Sequence, residues 1–180
     1  MSYCEFTKDL EETHPHKVYH DNFYGFPIED DRELFGRLIL EINQAGLNWL
    51  TVLKKENNFR KAFSNFDFAA VAKFGDKEIE VLMQDEGIIR NRKKIEAVIH
   101  NAGIICKLTQ EFGSFKEWLD FHSKKDLDEW TQLFRNTFKF TGKLIVEEFL
   151  MSTGYIPGAH SVDCPIFIKS VNKEPKWKQN

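Results

Sequence analysis

Leu82-Met83-Gln84-Asp85-Glu86-Gly87-Ile88-Ile89-Arg90-Asn91-Arg92-Lys93-Lys94-Ile95 is the stretch whose reading decides the architecture. A helical segment, Lys77 to Met83, runs into it. A longer one, Arg92 to Phe112, runs out of it with Ile95, Val98, Ile99 and Ala102 on one face. Between them lies a short turn carrying Gly87. This has the form of a helix-hairpin-helix, placed at about residues 77–111. In that arrangement the free N–H groups at the start of the second helix point at a phosphate, and basic side chains add charge. Arg90, Arg92, Lys93 and Lys94 supply four cations in five residues. The helix macrodipole disfavours cations at a helix start, so their presence points to an anionic partner. Gly87, Arg90, Arg92, Lys93 and Lys94 are therefore the candidate contacts to DNA. The bland alternative is a solvated helix start.

Working outward, the same periodicity continues. Asp30 and Asp31 offer N-caps for a helix to about Ala45, with Leu34, Phe35, Leu38, Ile39 and Ile42 as its apolar stripe and Gly46 as its stop. Asn48 caps a segment through Lys55, and Asp67 one through Phe74. Ser114 caps one through Phe121. Leu127 to Phe134 reads helical, and Gly142 to Thr153 closes the series at Gly154. No segment alternates with period two, so the predicted fold class is all-α. Residues 1–168 read as one domain, and 169–180 as a basic, loose C-terminal tail.

Composition agrees. With 180 residues, 42% hydrophobic and 29% charged, the chain can bury a core without disulfide staples. Phe occurs 17 times, which predicts an aromatic core. A net charge of −3 excludes a generally basic nucleic-acid binder and confines any such site to a local patch. No apolar run reaches the ~20 residues of a membrane span. The first ten residues hold no signal-peptide core, so the expected location is cytoplasmic. Three cysteines, Cys4, Cys106 and Cys164, fit a reducing compartment.

Two sets of side chains carry chemistry. Cys4 and His20 lie near one end of the sequence, His160 and Cys164 near the other. Two Cys and two His suit tetrahedral zinc. Fifteen residues separate Cys4 from His20, which is no recognised finger spacing, and His14 and His16 are equally available. Cys106, inside the long helix, reads as a buried thiol. The second set centres on Glu41. It falls on the line Leu34, Leu38, Glu41, Ala45, at the edge of a face that should be buried, where a carboxylate must be paired, protonated or functional. A solvent-facing Glu paired with Arg37 is the alternative. Phe6, Tyr19, Tyr24 and Trp49 lie nearby in sequence; aromatics with one carboxylate suit a flat, cationic ring.

Five blocks in order extend this reading: Tyr19-His20-Asp21-Asn22; Glu41-Ile42-Asn43-Gln44-Ala45-Gly46-Leu47-Asn48-Trp49-Leu50-Thr51-Val52-Leu53-Lys54-Lys55; Asp85 to Ile95; Phe138-Lys139-Phe140-Thr141-Gly142; and His160-Ser161-Val162-Asp163-Cys164. From Cys4 to Cys164 the chain resembles the 3-methyladenine DNA glycosylase I (Tag) family of the helix-hairpin-helix superfamily. The resemblance implies an all-α glycosylase fold and a structural zinc joining the chain ends through Cys4, His20, His160 and Cys164. It implies Glu41 as the pocket glutamate, Tyr19 and Trp49 as stacking aromatics, and Phe6 where the family usually has Trp. Phe23-Tyr24-Gly25 replaces the usual Glu-Trp-Gly, and Glu147-Glu148-Phe149-Leu150-Met151-Ser152 replaces a last helix that usually carries a Tyr and a Met-Gln-Ala run.

The implied activity is a monofunctional hydrolase of base-excision repair. It would bind double-stranded alkylated DNA as a monomer, flip out 3-methyladenine and release it as the free base. Methylation at N3 makes the base cationic and a good leaving group. Glu41 would accept from its edge, and Tyr19 and Trp49 would stack on it with ~2 kcal/mol of cation–π attraction. Water would then attack C1′. Gly142 and Lys143 follow the Phe-Lys-Phe-Thr block, so no activating carboxylate is evident there. The competing readings are a diverged glycosylase with shifted substrate and a non-catalytic DNA-binding zinc module. A zinc hydrolase fails because four protein ligands leave no open position for water.

Overall fold

A computed structural model describes residues 2–179. Two short helices come first, α1 (Tyr3–Lys8) and α2 (Pro15–Asn22). Sequence periodicity does not reveal them, because helices this short are held by packing rather than by propensity. Next is α3 (Asp31–Gln44). The Asp30 carboxylate caps it, accepting from the N–H groups of Arg32 and Glu33 at 2.7 and 3.1 Å. Asp31 does a different job. Its carboxylate accepts from the N–H groups of Phe115 and Lys116 at 2.8 and 2.9 Å, tying a distant helix start to α3.

The predicted apolar stripe of α3 is buried, and so is everything between its members: all residues from Leu34 to Asn43. A helix enclosed on every side is the centre of the fold, not a half-exposed layer. Gly36 permits one of the close approaches, since a methyl group there would lie 2.3 Å from the Phe66 ring. The helix stops at Gly46, whose φ of 78° is left-handed backbone that glycine adopts without strain.

Around α3 the chain lays α4 (Trp49–Leu53), capped by Asn48, then α5 (Glu56–Ala62), a 3-10 turn (Ser64–Phe66) and α6 (Phe68–Val71), capped by Asp67. The remaining helices are α7 (Asp76–Gln84), α8 (Arg92–Phe112), α9 (Phe115–Phe121), α10 (Leu127–Thr137) and α11 (Lys143–Ser152). Among the described residues there is no strand, as an all-α fold requires. The aromatic core expected from the Phe content is present. Phe35, Phe59, Phe63, Phe66, Phe115, Trp130, Phe134 and Phe149 are almost fully excluded from solvent. Each such side chain is worth roughly 1.5–3 kcal/mol on burial. Cys106 is half-buried.

Two expectations are corrected. The C-terminal segment is not a loose tail. It forms α12 (Pro165–Val171) and α13 (Lys176–Gln179). Lys169 Nζ donates to the Asp21 carbonyl at 3.0 Å, and the Trp177 N–H to the Gly154 carbonyl at 3.3 Å. Polar composition hid helices whose partners lie elsewhere in the fold, for α12 at the other end of the chain. The second correction concerns the basic patch. Lys94 does not face solvent; it is 4% exposed. Its Nζ donates to the carbonyls of Asn43 and Ala45 at 2.8 and 2.7 Å, capping the C-terminal end of α3. Arg92 pairs with Glu80 and, at 3.9 Å, with Glu96; Arg90 lies 3.8 Å from Glu86. Lys93 is exposed.

The turn between α7 and α8 is well anchored. The Gly87 N–H donates to Asp85 Oδ1 at 2.7 Å, Lys55 Nζ donates to the Glu86 carbonyl at 2.7 Å, and Ile88 is buried. A methyl group at Gly87 would press on Asn58 of α5 at 3.1 Å. The turn is thus fixed to the segment that follows Trp49, and Lys94 fixes the helix beyond it to the end of α3.

Candidate active site and metal centre

A cavity of about 490 Å³ opens where α1, α2, α3, α4 and α11 meet. Its walls include Tyr3, Phe6, His16, Tyr19, Tyr24, Glu41, Gln44, Trp49 and Glu148. The sequence-derived set Phe6, Tyr19, Glu41 and Trp49 therefore converges on one space. Glu41 reaches it because the central helix α3 carries it there, 4% exposed. Burial pushes its carboxyl up to about 8. Arg37 pulls the other way without overcoming that, and the charge of Glu148 adds to the rise. Arg37 is not its ion-pair partner. The guanidinium donates to Tyr19 Oη at 3.0 Å and to the Ser152 carbonyl at 3.4 Å. Glu41 makes no hydrogen bond to another described residue. It is a buried carboxyl facing a cavity.

The aromatic walls are ordered against one another. Tyr19 and Trp49 meet edge to face, 5.2 Å between centroids and 68° between planes, so they form a floor and a wall rather than two parallel plates. Phe6 is half exposed and stacks on Tyr3 at 6.2 Å. Sequence reasoning missed Tyr3, His16 and Glu148 as cavity residues. Tyr3 sits one residue before Cys4, and its Oη lies 2.9 Å from His16 Nδ1. Proximity to the Cys4 block was the only available signal for Tyr3. Glu148 stood out only as part of an unusual last helix, and Tyr24 Oη donates to its Oε2 at 3.4 Å.

The second cluster forms behind α1 and α2. Cys4, His20, His160 and Cys164 place one ligand atom each within 4.8 Å of all the others. His20 Nε2 lies 3.4 Å from Cys4 Sγ and 3.2 Å from His160 Nδ1; Cys164 Sγ lies 3.8 and 3.9 Å from the same two nitrogens. These are the edge lengths of a small tetrahedron around one ion. The outer nitrogens are also committed. His20 Nδ1 is 2.6 Å from Asp21 Oδ1, and His160 Nε2 is 2.8 Å from the Tyr24 carbonyl. Such outer contacts fix ring orientation and leave the inner nitrogens free to ligate. The ambiguity over the other histidines is resolved: His14 Nδ1 accepts from the His16 N–H as the cap of α2, and His16 faces the aromatic cavity. The cluster could hold a metal ion, with ligands from both ends of the chain.

Comparison with known proteins agrees with this geometry. The methyladenine glycosylase family model matches residues 10–167. DNA-3-methyladenine glycosylase 1 of Escherichia coli is 35% identical over 166 residues, 82% of this chain and 88% of its own length. DNA-3-methyladenine glycosylase of Haemophilus influenzae is 32% identical, over 82% and 89%. The structure of 3-methyladenine DNA glycosylase I from Staphylococcus aureus superimposes with a TM-score of 0.82 at 32% identity, covering 92% of this chain and 97% of that one. Sequence and fold thus agree along most of the chain, which belongs to the methyladenine glycosylase family.

Proposed function

We propose that this protein is a monofunctional DNA glycosylase of base-excision repair that hydrolyses the N-glycosidic bond of 3-methyladenine in alkylated double-stranded DNA. The observation that carries the reading is Glu41, a buried carboxyl without a protein partner, in a cavity walled by Tyr19, Trp49, Phe6 and Tyr3. A methylated adenine ring is flat and cationic in the nucleotide, with an exocyclic amino group to donate. Aromatic walls favour the ring, and an arriving positive charge favours the ionised form of Glu41. A neutral adenine has only hydrogen bonds with which to displace the carboxyl proton. Discrimination follows from charge.

The turn 85–91 with Gly87, Arg90, Arg92 and Lys93 forms the helix-hairpin-helix contact to phosphates. Lys94 supports that element from within. Because Lys94 and Lys55 tie the hairpin to the loop bearing Trp49, DNA held there presents its extruded base to the cavity. The donor set of two thiols and two imidazoles suits zinc, and four protein ligands close its shell, so the ion is structural and takes no part in the reaction. The protein works as a monomer in the cytoplasm and releases the free base. Incubating it with methylated duplex DNA and identifying the released base tests the reading. Free 3-methyladenine is expected; intact DNA after prolonged incubation would overturn the assignment.

A further inference from the structure

The cavity holds a second carboxylate, and its setting differs from that of Glu41. Glu148 comes from α11, is exposed to solvent, and is oriented by the Tyr24 hydroxyl at 3.4 Å. It also lines an adjoining cavity of about 550 Å³, whose walls include Ala45, Gly46, Gly142 and Lys143. Among the described residues, Gln44 and Glu148 alone border both spaces. The adjoining space is open along its glycines. A methyl group at Gly46 or Gly142 would meet nothing within 4 Å, and the start of α11 has no side-chain cap over its free N–H groups.

A nucleotide flipped out of a duplex must lie across such a boundary. Its base occupies the aromatic cavity against Glu41, and its sugar and phosphates occupy the adjoining cleft. The bond joining base to sugar then falls beside the side chains that border both. We propose that Glu148 is a catalytic carboxylate: it holds the attacking water at C1′ of the extruded nucleotide and takes its proton. This rests on the glycosylase reading above.

The step balances without any further reactant. The C1′–N9 bond breaks and its electron pair moves to N9, cancelling the positive charge of the methylated ring, so the base leaves neutral. Positive charge grows on C1′ and the ring oxygen, beside the Glu148 carboxylate. The water oxygen bonds to C1′, and its proton passes to Glu148 and from there to solvent, which reaches this exposed group directly. Glycoside hydrolysis generally divides its work between two carboxyl groups. Here the leaving base needs no acid, so one carboxyl reads the base and the other serves the sugar.

Single-turnover excision from methylated duplex DNA, and binding of free 3-methyladenine, should be measured for wild type, Glu148→Gln and Glu148→Ser. Removing a base that acts at C1′ should slow excision roughly a hundredfold, far more than it changes the free-base affinity of the cavity that Glu148 helps to wall. Two variants are used so that a folding defect in one leaves the other to decide. Wild-type excision in either folded variant would overturn the proposal. So would a loss of excision matched by an equal loss of free-base affinity, which would make Glu148 a base-binding group. A wild-type protein that excises nothing would instead bring down the glycosylase reading, and this proposal with it.

Discussion

Burial holds the Glu41 carboxyl at about 8, against 4.5 for a solvated glutamate. Between those values the folded chain keeps a proton that the unfolded chain has lost. The stability linked to this group is therefore complete below about 4.5 and declines as pH rises through 8, by at most about 1.4 kcal/mol per pH unit. Glu41→Gln removes that slope. Urea unfolding from about pH 5 to 8 should find the variant gaining on the wild type as pH rises. A constant gap would mean that the carboxyl is already ionised in the folded protein. Excision should fall in Glu41→Gln, since the amide cannot respond to the cationic ring of the nucleotide, and free-base affinity should fall with it, since the neutral product is held through the same contact. Glu41 was legible in the sequence because a charge at a buried register of a strong apolar helix stands out. Glu148 was not, because nothing in its own helix says that α3 and α1 lie across from it.

The same contrast separates two adjacent lysines at the scale of helices. Lys94 Nζ serves the carbonyls of Asn43 and Ala45, so Lys94→Ala leaves the end of α3 without those donors. The expected cost is about 2 kcal/mol in urea unfolding, and the Gly46 turn and Trp49 should loosen with it. Lys93→Ala should leave stability unchanged and weaken DNA binding equally on all sequences, reducing the salt slope by about 1. Equal stability loss in the two variants would contradict the capping role of Lys94. An unaltered slope for Lys93→Ala would move the DNA face elsewhere. Run-of-charge reasoning treated the two alike, because helical phase alone does not reveal that the second residue points at the end of another helix.

Across the whole molecule, the metal cluster joins α1 and α2 to the segment before α12. An ion held there would link Cys4 to Cys164 across most of the chain, and restricting so long a loop in the unfolded state would stabilise the fold by on the order of 5 kcal/mol. Metal analysis should find one zinc per chain. Chelation or Cys164→Ser should remove it and lower Tm by about 10 °C or more. Loss of the ion should also disturb the base cavity, because Tyr3 precedes Cys4, Tyr19 precedes His20, and the Tyr24 carbonyl holds His160. A chain that keeps its Tm and its free-base affinity after chelation would show that packing alone holds its ends together.

What the sequence alone determined is whatever rests on local periodicity and local chemistry. Capping residues and apolar spacing placed the bounds of α8 and α9 and the body of α3, whereas spacing left His14, His16 and His20 equally open as metal ligands, and only the family resemblance singled out Cys4, His20, His160 and Cys164. Helical register, a local property, put Glu41 at the edge of a buried face but left a solvent-facing Glu paired with Arg37 open. Only the tertiary structure decided the rest. It turned His16 from a possible ligand into a cavity wall, Lys94 from a phosphate contact into a helix cap, the polar C-terminal stretch into packed helices, and Glu148 into the second carboxyl of the site. Each of these depends on which surfaces meet across stretches of chain far longer than any local window, 51 residues for Lys94 and 148 for Lys169. Such meetings are selected by the summed burial of the whole core, and no window of sequence contains that sum.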